Sequence, residues 1–368
     1  MRVLYVNLGG ELVAGSEGGM LGVIARAGDR MRAHVLCNSR ALAQAVRELG
    51  HEATVCDLVE LSAWTTPKWQ FRAFWAGVKA TLACVDRFRP DLLAGNNVWA
   101  VQFAVLAGIL RRLRVVAHVR SMALRSGQEL SLIRLVNHTI ALSAKAAAPF
   151  AAMRWRRGGV SVVYDPVTVD EDPLPRPRAT GPLRLAIAGR LSDEKAVHRA
   201  IDLLAWLRER DLEAVLTIYG DGPERDALTR RVEEHHLERV VTFAGFRDDL
   251  PRRLRHDDVL LLCSLREGLG RVIVEAGLCA VPTVAVRVGG VGEAVEHARG
   301  GMLVGDFESP ENRQAVLDIL RDRGRLREMG ARAREFCRRR FDPENAARTT
   351  LDIYRRVLAG RARKESPA

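Results

Sequence analysis

Glu267 and Glu275 stand eight residues apart in Ser264-Leu-Arg-Glu-Gly-Leu-Gly-Arg-Val-Ile-Val-Glu-Ala276. Glu267 falls in a loop carrying Gly268 and Gly270, after the apolar run Asp258–Cys263. Glu275 falls two turns into the helix that the loop opens, expected from about Gly270 to Leu278. A carboxylate accepts hydrogen bonds from hydroxyls, so Glu275 suits a ribose diol and Glu267 the hydroxyls of a second sugar. The N–H groups at the helix start, around Leu269 to Arg271, suit a phosphate. The spacing alone also fits a helix-start acid followed by a solvent-facing one.

Upstream, Ala188-Gly-Arg-Leu-Ser-Asp-Glu-Lys195 ends a strand at Gly189 and sets Arg190 and Lys195 about a turn. Two cations there suit a diphosphate leaving group, whose charge grows as the sugar bond breaks. Tyr219-Gly-Asp-Gly-Pro223 reads as a tight turn, with Gly220 and Gly222 either a backbone wall beside a nucleotide or an ordinary turn. Phe246 and Arg247, in Phe243-Ala-Gly-Phe-Arg-Asp248, are candidates to pack beside a base. Val288-Gly-Gly-Val-Gly-Glu293 offers N–H groups for an anion nest.

In the first half, Gly9, Gly10, Gly18 and Gly19 flank the loop after the first strand and open a helix. His118 ends the strand Arg114–Ala117, where a hydrogen-bonded structural histidine is the ordinary reading. Asn96 and Asn97 either line a cleft or cap a turn. Leu61–Val85 holds no acid. As a helix it places Phe71, Phe74, Trp75, Val78, Leu82 and Val85 on one face, and Lys68, Arg72 and Lys79 on another, with Trp69 nearby. That composition fits a core helix with a solvated cationic side, or a membrane surface.

The elements that carry these residues alternate strand and helix from end to end, the signature of mostly parallel, doubly wound sheets. Five prolines between Asp165 and Pro182 interrupt the alternation and mark a linker. We therefore expect a Rossmann-like domain over 1–165, a linker over 166–182, a second Rossmann-like domain over 183–340, and a C-terminal helix and tail over 341–368. Ligands of such sheets bind outside the carboxyl ends of the strands.

The 368 residues are 48% hydrophobic and 28% charged, with a net charge of +12, which reads as a soluble globular chain. No apolar run reaches ~18 residues, so no membrane-spanning helix is expected. The first residues enter a strand at once, without a signal-peptide pattern. Six scattered cysteines without a Cys-x-x-Cys pair read as reduced, mostly buried thiols of a cytoplasmic protein, and no metal site or cofactor is expected. The charge is lopsided. Residues 1–165 hold 21 Lys/Arg against 11 Asp/Glu, and Glu129 is the only acid between 92 and 164. Such a field draws anionic partners.

The ordered set Gly-Arg-Leu-x3-Lys at 189–195, Tyr-Gly-Asp-Gly-Pro at 219–223, Glu-Gly-Leu-Gly-x4-Glu at 267–275 and Gly-Gly-Val-Gly-Glu at 289–293 resembles the retaining glycosyltransferases of family 4, the group 1 glycosyl transferases. The resemblance implies the GT-B fold, two Rossmann-like domains facing each other across a cleft, with a nucleotide-sugar (NDP-sugar) donor in the second. It implies that Arg190 and Lys195 contact the donor diphosphate, Glu267 the donor sugar and Glu275 the ribose. It puts Gly18 and Gly19 near the donor phosphates and His118 against the donor sugar. It implies front-face attack with retention and no metal. The chain departs from the family pattern at Ala196, Leu269, Gly292 and Thr168, and no charged anchor is lost. With the basic first half, the resemblance points to a lipid-linked or cell-envelope glycan acceptor and to peripheral contact, through Lys68, Trp69, Arg72, Trp75 and Lys79, with an anionic membrane on its inner face. A small soluble acceptor is the alternative. A nucleic-acid-binding protein lacks a reading motif here, and a Rossmann oxidoreductase lacks a strand-linked Gly-x-Gly-x-x-Gly.

Overall fold

The computed structural model describes residues 1–10, 15–61, 68–120, 132–154, 156–169, 180–295 and 300–360. Most of the Pro-rich linker, 170–179, lies outside them. The chain forms two compact units, Met1–Val167 together with the segment from Phe341 onward, and Thr168–Arg340.

Among the described residues, the first unit holds seven parallel strands: β1 (Arg2–Asn7), β2 (Arg32–Cys37), β3 (Glu52–Val55), β4 (Leu92–Gly95), β5 (Arg114–Val119), β6 (His138–Ala141) and β7 (Gly159–Val162), in the order β3-β2-β1-β4-β5-β6-β7. The second holds six: β8 (Leu183–Ala188), β9 (Ala214–Tyr219), β10 (Val241–Gly245), β11 (Val259–Leu262), β12 (Thr283–Val286) and β13 (Gly301–Val304), in the order β10-β9-β8-β11-β12-β13. All pairings are parallel. Parallel sheets are covered on both faces, which is why β1, β4 and β11 read as nearly unbroken apolar runs and are buried along their length. Each sheet reverses its strand order once, between β1 and β4 and between β8 and β11. Loops leaving adjacent strands diverge at such a point and leave room for a ligand.

The crossover helices in the first unit are α1 (Gly15–Ala27), α2 (Arg40–Glu48), α3 (Lys68–Phe88), α4 (Val101–Arg111) and α5 (Ala144–Ala151). Ser39 and Ser143 cap α2 and α5 by accepting from Leu42 N and Ala146 N. In the second unit they are α6 (His198–Arg208), α7 (Arg225–Glu234), α8 (Leu250–Leu254), α9 (Arg271–Leu278) and α10 (Val291–Val295), and α11 (Pro310–Arg321) and α12 (Arg323–Arg340) follow the last strand. A last helix, α13 (Pro343–Leu358), starts on an Asp342 cap with proline at its first position. Its apolar face, with Leu351, Ile353, Tyr354 and Val357, joins the core of the first unit beside Met20 and Ile24 of α1. The sequence pattern marked this helix without showing where it packs.

Two expectations are corrected in the first unit. Gly18 and Gly19 do not open a helix after a loop; α1 has already begun at Gly15, and both lie inside it. A Cβ on Gly19 would overlap Arg120 and Asp165, so this glycine makes room for that partly buried ion pair. In α3 the expected single apolar face divides: Phe74, Val78 and Val85 enter the core, while Phe71 and Trp75 are exposed. His118 is 3% exposed and hydrogen-bonded within the first unit, the arrangement of a structural histidine.

His118 belongs to a buried chain of polar groups. Arg120 Nη2 lies 3.4 Å from His118 Nδ1, and His118 Nε2 lies 2.6 Å from Tyr354 Oη. A guanidinium only donates, so Nδ1 accepts, and Nε2–H donates to Tyr354. Tyr354 Oη donates to Tyr5 Oη at 3.1 Å. Burial, then Arg120 and His138, hold the imidazole well below its ordinary pKa, so the ring is neutral. Arg120 continues the chain to Asn96 Oδ1 at 2.9 Å, Asn96 reaches Asn7 Oδ1 at 2.8 Å, and Asn7 reaches Glu17 at 3.3 Å. Asn97 caps the following helical turn, accepting from Ala100 N at 2.9 Å. Both asparagines are thus structural. Tyr354→Phe leaves His118 Nε2–H without its acceptor and is expected to destabilise the protein by about 1–3 kcal/mol. Urea denaturation measures this, and a loss under about 0.5 kcal/mol would show that the ring finds another partner.

Candidate donor site in the second unit

Four loops meet at the carboxyl edge of the second sheet. The loop after β8 carries Gly189, Arg190 and Lys195. The loop after β9 carries Gly220 and Gly222, the loop after β11 carries Ser264 to Gly270, and the loop after β12 carries Gly289. They pack backbone against backbone. A Cβ on Gly220 would overlap the Gly189 carbonyl, one on Gly222 the Leu191 carbonyl, and one on Gly289 the Glu267 carbonyl. Hydrogen bonds fasten the same contacts: Gly189 N to Tyr219 O at 2.9 Å, Leu191 N to Asp221 O at 2.9 Å, Leu265 N to Glu194 O at 2.9 Å and Gly290 N to Glu267 O at 3.1 Å. Gly290 therefore supports the Glu267 loop with the N–H that an anion nest would need.

Lys195 and Glu267, 72 residues apart in sequence, meet in this edge. Lys195 Nζ donates to Glu267 Oε2 at 2.5 Å, and Ser264 Oγ donates to the same oxygen at 3.2 Å. Lys195 ends a single 3-10 turn, Asp193–Lys195, closed by Ala196 at φ +47°. This left-handed position is where the family pattern has glycine, and alanine holds it here. A cavity lined by Gly189, Leu191, Lys195, Tyr219, Cys263 and Ser264 opens beside the pair. Gly189 and the adjoining Arg190 are exposed.

Glu275 lies on α9, 14% exposed, with Arg271 Nε donating to its Oε1 at 2.8 Å. Gly270 precedes the helix at φ +82°, a conformation that glycine adopts without strain. Gly268 precedes Leu269, whose side chain is buried, so only its backbone is available to a ligand. Phe246 presents an exposed ring just beyond β10, and Arg225 stacks over Phe243 of that strand at 4.6 Å. The structure thus brings Gly189, Lys195, Gly220, Gly222 and Glu267 together. The His118 network belongs to the first unit. Ser264 and Arg271 hold the two carboxylates in contacts that sequence spacing does not show. For Arg271 a signal existed, a cation at the first position of a helix.

Below the Gly220 turn, Tyr219 Oη donates to Asp257 Oδ2 at 3.1 Å. Burial pushes the Asp257 carboxyl up to about 7, against the pull of the Tyr219 hydrogen bond and the Arg184 charge. Burial, then the Asp257 charge, raises Tyr219.

Residues 170–336 match the family model described as Glycosyl transferases group 1. The second unit belongs to that family. Over 172 residues the chain is 35% identical to N-acetyl-alpha-D-glucosaminyl L-malate synthase of Bacillus anthracis, which covers 46% of this chain and 45% of that one. The chain thus spans about half the length of this relative. Over 302 residues it is 29% identical to the GDP-mannose-dependent alpha-(1-6)-phosphatidylinositol monomannoside mannosyltransferase of Mycobacterium tuberculosis, covering 76% and 75% of the two chains. Its fold is similar to that of Anabaena Alr3699/HepE, solved in complex with UDP, with a TM-score of 0.78 at 23% identity over 96% of this chain and 100% of that one. Two doubly wound parallel sheets in this arrangement of elements are the GT-B fold.

Asp257 gives this unit a measurable pH dependence. Its folded pKa lies above the ordinary 3.8, so between about pH 4 and pH 7 the folded protein holds a proton that the unfolded chain releases. The stabilisation is complete below about pH 4 and is lost as pH rises through about 7. Asp257→Asn keeps an acceptor for Tyr219 and carries no charge. Its stability relative to the unsubstituted protein is expected to rise from pH 5 to pH 7 by up to about 1 kcal/mol per pH unit. Denaturant titrations at several pH values check this, and a flat difference would mean that Asp257 titrates as an ordinary carboxylate.

Proposed function

We propose that the protein is a retaining glycosyltransferase that moves a sugar from an NDP-sugar to a hydroxyl of a lipid-linked or cell-envelope glycan. The observation that carries this reading is the meeting of Lys195 and Glu267 at the β8/β11 reversal, in a unit belonging to the group 1 family. The HepE complex with UDP supports a nucleotide as part of the donor.

On this reading the diphosphate lies against the loop after β8. Arg190 and Lys195 neutralise the charge that develops on the departing phosphate. Glu267, steadied by Ser264, accepts hydroxyls of the transferred sugar and fixes its anomeric carbon. Glu275 accepts from the ribose, and Phe246 covers the base. The acceptor hydroxyl attacks from the face the leaving group vacates and gives its proton to the departing phosphate. Positioning and charge stabilisation replace a strong base and a metal. His118, enclosed with Tyr354, acts by holding Arg120 and the first unit's loops rather than by touching the sugar. Arg190→Ala and Glu275→Ala are each expected to lower kcat/KM for donor turnover by roughly 10- to 1,000-fold, with activity in EDTA equal to that in magnesium. Near-normal turnover of both variants, in a screen of UDP-, GDP- and ADP-sugars, would overturn the site.

The acceptor class rests on α3. Phe71, Trp75 and Lys79 recur at four-residue spacing on its outer side, with Arg72 adjoining and Trp69 67% exposed. Lys68 opens the helix, and its side chain lies outside the described residues. Exposed aromatics interleaved with cations suit the interface of an anionic bilayer. The name of the mycobacterial relative points to a phosphatidylinositol-linked acceptor, whereas that of the Bacillus relative points to a small soluble one, L-malate. Sedimentation with vesicles separates the two. Binding is expected to need phosphatidylglycerol, to weaken as salt rises, and to fall at least about tenfold in a Trp69→Ser/Trp75→Ser variant. Indifference to lipid charge and to these tryptophans would leave the small-acceptor reading.

A further inference from the structure

Helix α9 opens against the usual charge pattern. A helix N-terminus favours acids and disfavours cations, and an arginine four residues before a glutamate is the weaker order of that pair. Yet α9 has no acid in its first turn, begins with Arg271, and has a glycine at its N-cap with no side-chain cap. Helix stability does not account for Arg271. Local rules broken in this way cluster at functional sites. What Arg271 does is visible: its Nε donates to Glu275 Oε1 at 2.8 Å, with the two side chains 31% and 14% exposed. A glutamate on a helix face otherwise rotates about three bonds, and ordering it on binding a ligand lowers affinity.

We propose that Arg271 is a positioning residue for the nucleotide: it commits Glu275 Oε1, presents Oε2 to the ribose, and so makes the site select ribonucleoside over 2′-deoxyribonucleoside diphosphates. The proposal rests on the assignment of Glu275 to the ribose. A planar guanidinium fixes a carboxylate where an ammonium only attracts it, so lysine is an incomplete substitute. The ribose is remote from the breaking bond, so the effect falls on binding rather than on the chemical step.

The test uses the full chain with UDP and 2′-deoxy-UDP, repeated with the GDP and ADP pairs, by calorimetry, and with the matching NDP-sugars in turnover. Thermal melts report the folding of each variant. The unsubstituted protein is expected to prefer the ribonucleotide by about tenfold or more. Arg271→Gln is expected to reduce that preference to about threefold or less and to raise KM about tenfold with kcat within about twofold, and Arg271→Lys to fall between. If Arg271→Gln keeps the full preference while Glu275→Ala loses it, the positioning role is wrong and the ribose assignment stands. If Glu275→Ala also keeps it, or no pair binds, the ribose assignment fails and this inference with it.

Discussion

Backbone packed on backbone holds the donor edge of the second unit. Where Gly220 meets the Gly189 carbonyl, Gly222 the Leu191 carbonyl and Gly289 the Glu267 carbonyl, no side chain intervenes, and none would fit. That closeness lets interloop hydrogen bonds form at 2.9–3.1 Å between segments leaving four different strands. A loop fixed by its own main chain does not depend on side-chain rotamers for its position, so the groups it carries are placed to within a fraction of an ångström. Lys195 and Glu267 reach 2.5 Å across the reversal of strand order for this reason. The glycines of the sequence motifs are therefore less a cradle made for phosphate than the joints that set the distance between a cation and a carboxylate.

The strands were legible because a parallel strand, buried on both faces, leaves an apolar run that little else in the chain imitates. The donor-loop residues were legible because they sit immediately after such runs. What was not legible depends on contacts distant in sequence. A C-terminal helix was expected, but nothing in its pattern shows that Tyr354 lies against His118, 236 residues earlier, where its hydroxyl is part of what makes that histidine structural. Gly19 looked like a loop glycine because glycines after β1 are common in this family, and only the Arg120–Asp165 pair behind it explains why a side chain is excluded. In α3, helical periodicity put Phe71 and Trp75 beside Phe74, because spacing shows which residues share a face but not how much of that face the core covers. Arg271 was written in the motif, but its meaning needed the observed bond to Glu275.

Both carboxylates of that motif are thus paired with cations, Glu267 with Lys195 and Glu275 with Arg271. These pairs are partly open to water, so each stabilises the fold little. Their consequence is for exchange. On the proposed assignment, a diphosphate approaching Lys195 competes with Glu267 for the same ammonium, and the sugar hydroxyls that come with an intact donor give Glu267 new partners. A nucleoside diphosphate without the sugar takes the ammonium and leaves Glu267 beside its own negative charge, with Ser264 as its remaining partner. The same two residues then favour the substrate over the product of the transfer. Glu267, which adds nothing to phosphate affinity, would set how readily the spent nucleotide leaves, because the repulsion between two anions near one lysine grows when the glycosidic bond breaks and the diphosphate gains a further negative charge.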